Sequence, residues 1–169
     1  MTNKEASERQ EKLVANYMGW QVVSGSGARP FRPGDVQNEY YLVECKTHTK
    51  EQKNIIFHKE HWDKIQKEAI SVHKYPALIT DDGTQRVDAT WVMLPKRVIT
   101  SESISEILNL VNTSTSGNTV TYNHEAMKTL YKAGYDIDAI NYILESSFGE
   151  VAILSLSEFK KFYEEQFEC

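Results

Sequence analysis

The 169-residue chain predicts an α/β fold: a mixed central β-sheet flanked by helices, with an extra helical region toward the C-terminus. Two observations carry this. Helical periodicity alternates with short β-branched and aromatic runs over roughly the first 95 residues. Composition is that of an ordinary globular domain, with 40% hydrophobic and 25% charged residues and a mean hydropathy of -0.51. The length suits a domain that buries a core without disulfides or structural metal.

The elements follow in order. Residues 4–18 are a predicted helix, with Leu13, Val14 and Tyr17 at helical spacing and Gly19 as its stop. Trp20-Gln21-Val22-Val23 reads as a short strand. Residues 25–34 hold three of the eight glycines and two of the four prolines, a long loop of the kind that carries function. A turn at Gln37-Asn38-Glu39 leads into a strand at 40–47. Residues 59–70 form a helix with Trp62, Ile65 and Ala69 on one face. Strands at 76–80 and 87–94 flank the Asp81-Asp82-Gly83 turn. Beyond 100, helices are expected at 104–111, 123–131 and 136–144, and a polar loop at 112–118. A strand at 151–156 and an amphipathic helix at 157–165, using Phe159, Phe162 and Tyr163, complete the chain.

The net charge of -5 is unevenly spread. Residues 1–75 carry 12 Lys+Arg and 10 Asp+Glu, whereas residues 76–169 carry 7 and 14. Four of the five histidines also lie in the first part. With three carboxylates neutralised by a bound cation, that part would behave as about +5, so an acidic chain still presents a basic working face. No apolar run approaches the roughly 18 residues that span a bilayer. Met1-Thr2-Asn3-Lys4-Glu5 has no secretory character, and two cysteines without metal spacing, Cys45 and Cys169, suit a reducing, cytoplasmic setting.

The chemistry concentrates on the strand at 40–47. Alternation puts Glu44 and Lys46 on one face, with Val43 and Cys45 on the other. Glu51-Gln52-Lys53 and Glu158-Phe159-Lys160 have the same spacing, so the tripeptide alone decides nothing. Only the Glu44 copy lies on a strand with an Asp, Asp35, nine positions upstream behind a Pro-Gly turn. Asp35 and Glu44 would hold Mg²⁺ through hard oxygen ligands, with Mn²⁺ as substitute. The cation would polarise a phosphodiester and acidify a water. Lys46 would orient that water or stabilise charge at the phosphorane.

An Asp followed by Glu-x-Lys on a strand is the signature of the PD-(D/E)XK nuclease superfamily. The wider arrangement resembles the Holliday-junction resolvases of archaeal type. Glu8, twelve residues before Trp20, stands where the family's helical metal-site Glu is expected. Gly25-Ser26-Gly27 matches the loop with its active-site serine. The 59–70 helix and the Lys74-Tyr75-Pro76-Ala77-Leu78-Ile79 run match the family's elements after the Glu-x-Lys strand. Gly34 stands where many members have Pro before the Asp. The resemblance covers about residues 4–95. It implies a restriction-endonuclease-like core over 1–100 and an extension over 101–169 packing on it. It further implies a homodimeric, Mg²⁺-dependent endonuclease acting on branched DNA. Glu8, Asp35 and Glu44 would bind metal, Lys46 would assist the water and Ser26 would contact the scissile phosphate.

Other residues have competing roles. Glu11, one turn beyond Glu8, is the rival for the helical metal position. Arg29 and Arg32 fit phosphate contacts from the long loop, and Lys50, Lys53 and Lys59 would extend a DNA-binding track. Gln66 is placed to reach the site or to face solvent. His58 and His61, three apart, invite a zinc reading that lacks a third ligand. Cys45 is expected as a buried small hydrophobe. The 123–144 helices carry too little positive charge to read DNA and suit packing or a protein partner. Two alternatives stay open: another DNA-processing, repair or restriction nuclease on linear or nicked DNA, and a non-catalytic binding module on the same fold.

Overall fold

The computed structural model describes residues 1–23, 33–98, 113–115, 118–123, 125, 140–143 and 148–167. Helix α1 (Asn3–Met18) opens on a capping box: the Thr2 hydroxyl accepts from the Glu5 N–H, and the Glu5 carboxylate accepts from the Thr2 N–H. It closes at Gly19, whose left-handed φ of 73° returns the chain toward strand β1 (Gln21–Val22). Strand β2 (Val36–Gln37) occupies the start of the expected turn, and the Asn38 Oδ1 then accepts from the Tyr40 and Tyr41 N–H groups. Strand β3 (Tyr41–Lys46), β4 (Asn54–His58), helix α2 (Lys59–Ser71) and β5 (Tyr75–Asp81) follow. The strand expected over 87–94 begins as a single 3₁₀ turn at Val87–Ala89 and becomes β6 at Thr90–Pro95.

Seven strands form one mixed sheet in the order β1-β2-β3-β5-β6-β10-β9, where β9 is Ile140–Ile143 and β10 is Glu150–Ser155. Among the described residues only β3 and β5 pair in parallel, and their crossover runs through β4 and α2. A second, antiparallel sheet joins β4 to β8 (Thr119–Asn123) and β8 to β7 (Thr113–Thr115). Helix α3 (Leu156–Phe167) follows β10 directly. The α/β class, the mixed central sheet and the C-terminal helix are as the sequence predicted.

Alternation along β3 divides the core. Leu42 joins Trp62, Ile65 and Ala69 of α2, Ile55 and Phe57 of β4, and Val120 of β8. Tyr41, Val43 and Cys45 join Val14 and Met18 of α1 and Phe159 and Tyr163 of α3. Helices thus cover both faces, and residues 41–45 are all buried.

Two local expectations are corrected. Residues 140–143, predicted helical within 136–144, pair with β10 from Glu150↔Ile143 to Ile153↔Ile140. A short apolar run does not distinguish helix from strand by period, and the free sheet edge decides it. Thr113–Thr115, placed in the polar loop, is strand β7. Strand β4 had no predicted counterpart. The 104–111 helix and most of the 123–131 helix lie outside the described residues. Beyond residue 100, β10 and α3 belong to the same sheet and core as the first part. Among the described residues no helix is long and apolar enough to cross a membrane.

Candidate functional site

The ladder between β2 and β3 ends at Val36↔Val43, and the next residue back, Asp35, turns its side chain to the strand's unpaired backbone. Its Oδ2 accepts from the Cys45 N–H at 2.8 Å, while its own N–H donates to the Val43 carbonyl at 2.7 Å. The geometry depends on Gly34. With φ +72°, a Cβ there would stand 2.7 Å from the Leu42 side chain. The Gly34 N–H donates to Glu68 Oε2 of α2 at 3.0 Å. Burial, then the Glu44 charge, pushes the Asp35 carboxyl above its ordinary value, against the pull of the Cys45 N–H, Lys46 and Lys64.

Glu44 is 2% exposed on the α2 face of β3. A buried carboxylate needs partners, and it has two. Lys46 Nζ lies 2.9 Å from Oε1, on the same strand face as the alternation requires. Lys64 Nζ of α2 donates to both oxygens, at 3.2 and 3.1 Å. Burial is the largest single influence and would lower the Lys64 ammonium, but Glu44, Glu68 and Asp35 together offset it and the net shift is upward. Lys64 also faces Glu68 one turn on, at 3.7 Å. Sequence reasoning missed both Lys64 and Glu68. Each stands one position before a buried residue, Ile65 and Ala69, so they rim the helix's apolar stripe.

Helix α1 supplies a third acid. Glu8 is exposed and lies 3.9 Å from Lys4. Glu11 is the partly buried one, its carboxyl pushed up to about 7 by burial and then by the charges of Asp35, Glu8 and Glu44, with Lys46 opposing. The adjacent Gln10 is fully buried and its Nε2 donates to the Lys46 carbonyl at 2.6 Å. That bond ties α1 to the end of β3, so Glu11 rather than Glu8 sits in the field of the acidic pair.

The chain after Lys46 is held by a buried polar network. Asp81 accepts from Thr47 Oγ1 at 2.5 Å and from the Gly83 N–H at 2.9 Å, and Gln85 Nε2 donates to the His48 carbonyl at 3.0 Å. Lys50 and Lys53 are exposed on this segment. Lys59 pairs with Asp63, and Gln66 is partly buried on α2. His58 and His61 have ring centroids 5.2 Å apart, and burial, then Lys46 and His58, lower the His61 imidazole's affinity for a proton. Among the described residues no three His, Cys, Asp or Glu side chains converge as a ready-made metal cluster. Cys45 is buried and its thiol pushed well up by burial, which makes it a core residue rather than a nucleophile. Ser26, Arg29 and Arg32 lie outside the described residues.

Comparison with known families, curated proteins and solved structures returns no match.

Proposed function

We propose that this chain is a divalent-metal-dependent DNA endonuclease of PD-(D/E)XK type acting on branched DNA, with four-way junctions as the preferred substrate. One observation carries the reading. Asp35, nine residues before Glu44, anchors its carboxylate on the Cys45 N–H next to Glu44 and feels its charge, and Lys46 is paired to Glu44. The donor set fits a hard cation: carboxylate oxygens, partly buried, with the Asp35 and Glu11 carboxyls pushed up by burial and by their acidic neighbours. Asp35 and Glu44 would hold it, with Glu11 in the supporting position that family spacing gives to Glu8. Bound there, Mg²⁺ supplies Lewis-acid polarisation of a phosphodiester and a more acidic water.

The protein's own groups do the rest. Lys46, with its side chain 41% exposed, reaches solvent from a fixed strand position. It orients the attacking water and stabilises negative charge as the P–O ester bond breaks. Lys50 and Lys53 bind backbone phosphate alongside. A homodimer would present two such centres to the paired strands of a junction.

The test is cleavage of a four-way junction beside a linear duplex of matching sequence, with Mg²⁺ or Mn²⁺. The wild type should cut the junction preferentially. Glu44→Gln and Lys46→Met should lose cleavage while retaining junction binding in Ca²⁺. Equal cutting of both substrates overturns the junction assignment, and no cutting with either metal overturns the enzyme.

A further inference from the structure

Glu44 is one of the most enclosed charges in the described structure, yet its two ammonium partners are held very differently. Lys46 is two residues along the same strand, and its backbone carbonyl is tied to Gln10. Lys64 reaches Glu44 from another element, its side chain is 53% exposed, and a second carboxylate, Glu68, waits 3.7 Å away. An ion pair with one partner in water and an alternative partner one helical turn away is easily exchanged. Lys46 and Lys64 between them cover the Glu44 oxygens, the atoms a divalent cation would need.

We propose that Lys64 is a displaceable internal counter-ion: it neutralises Glu44 in the metal-free protein, and a divalent cation binds by expelling it toward Glu68. The proposal rests on the nuclease reading, because it assigns the cation to Glu44. Three features make the exchange cheap. Glu44 never stands buried and uncompensated, since Lys46 remains throughout. The released ammonium keeps a carboxylate neighbour. Glu68 meanwhile holds the Gly34 N–H, so the ammonium moves toward the group that fixes Asp35, the other cation ligand. Lys64 therefore opposes metal binding and sets its threshold without touching the reacting phosphate. It is a positioning residue.

The experiment is calorimetric titration of the full chain with Ca²⁺ alone, needing no substrate and no turnover. Lys64→Met keeps the side chain's length and removes its charge, and should bind Ca²⁺ about tenfold more tightly than wild type, the scale of one charge-assisted hydrogen bond lost by the competitor. Lys64→Arg keeps the charge and adds a planar fork that grips a carboxylate with two donors, and should bind severalfold more weakly. Simple charge repulsion would leave Lys64→Arg equal to wild type, so that equality overturns competition. Ca²⁺ affinity unchanged or reduced in Lys64→Met overturns it as well. Near-UV circular dichroism checks folding, and if Lys64→Met unfolds, the charge-retaining Lys64→Arg carries the test. Ca²⁺ binding by none of the three proteins overturns the nuclease reading itself, whereas binding indifferent to position 64 overturns only the role of Lys64.

Discussion

Glu11→Gln should make the metal-free protein more stable at pH 8, although it deletes a charged residue that feels the Lys46 ammonium. The Glu11 carboxyl, ordinarily at 4.5, is raised to about 7 by burial and by Asp35, Glu8 and Glu44. A raised carboxyl binds its proton better in the folded than in the unfolded chain. Its contribution is therefore present below about pH 4.5, declines as pH rises through the interval, and is gone above about 7. At 1.36 kcal/mol per pH unit the full interval corresponds to about 3.4 kcal/mol. The group is only partly buried and water screens its neighbours, so ~1–2 kcal/mol is the expected effect. For a chain of this length that is roughly 3–6 °C in Tm.

The assay is thermal melting of both proteins from pH 4.5 to 8.5 in chelator. The gap should be small at pH 4.5, open through pH 6 and level off above 7.5. Adding Ca²⁺ at pH 8 should then raise the wild-type Tm more than that of Glu11→Gln, since the cation relieves the same repulsion that the substitution removes. A variant melting at or below wild type at pH 8 would refute the argument, and so would a gap that does not vary with pH.

Three more outcomes rest on packing. Gly34→Ala puts a Cβ 2.7 Å from Leu42 at a left-handed φ; it should cost about 1–3 kcal/mol in urea denaturation and weaken Ca²⁺ binding by displacing Asp35. Gln10→Leu removes the donor to the Lys46 carbonyl and should cost roughly 1–3 kcal/mol, while flattening the pH dependence assigned to Glu11 because α1 is no longer tied to β3. Trp62→Ala empties the centre of the α2 core and removes the indole N–H that donates to the Phe148 carbonyl; about 3–5 kcal/mol should be lost with the urea m-value unchanged.

Local patterns made half of the site legible. Period-two alternation is enough to place Glu44 and Lys46 together, and the Pro-Gly turn is enough to bring Asp35 beside them. The helix phase was also readable. Ala6, Gln10, Val14 and Met18 form the buried stripe of α1 at near-regular four-residue steps. Glu11 lies one residue, or 100°, from Gln10, while Glu8 lies about 200° away, on the outer side. Family spacing points to Glu8, whereas the buried stripe in the structure sets Glu11 nearer the core. Lys64 was not legible, because its partnership with Glu44 exists only once α2 docks on β3. The same applies to β4 and β8, whose pairing joins Phe57 to Val120 across the chain. Pairings of that span leave no local trace, and an Asn-Tyr pair between two isoleucines at 140–143 suits a helix as well as a strand.

The balance of charge at the site bears on the order of events. Glu11, Asp35 and Glu44 contribute three carboxylates, and Lys46 and Lys64 two ammoniums. Fully ionised, this group carries one net negative charge and repels a phosphodiester. Around neutral pH a proton on Glu11 partly cancels that charge, which leaves the site closer to indifferent than attractive to phosphate. On the proposed function, a bound divalent cation would turn the deficit into one positive charge and expel the Glu11 proton. DNA affinity should then rise with Ca²⁺, and proton release on Ca²⁺ binding, read in buffers of differing ionisation enthalpy, should be largest below pH 7 and die away above it. The acidic surplus of residues 76–169 does not enter this balance, because none of the five groups lies there. An overall net charge of -5 is thus compatible with the proposed phosphate-binding centre, whose sign a bound cation would set.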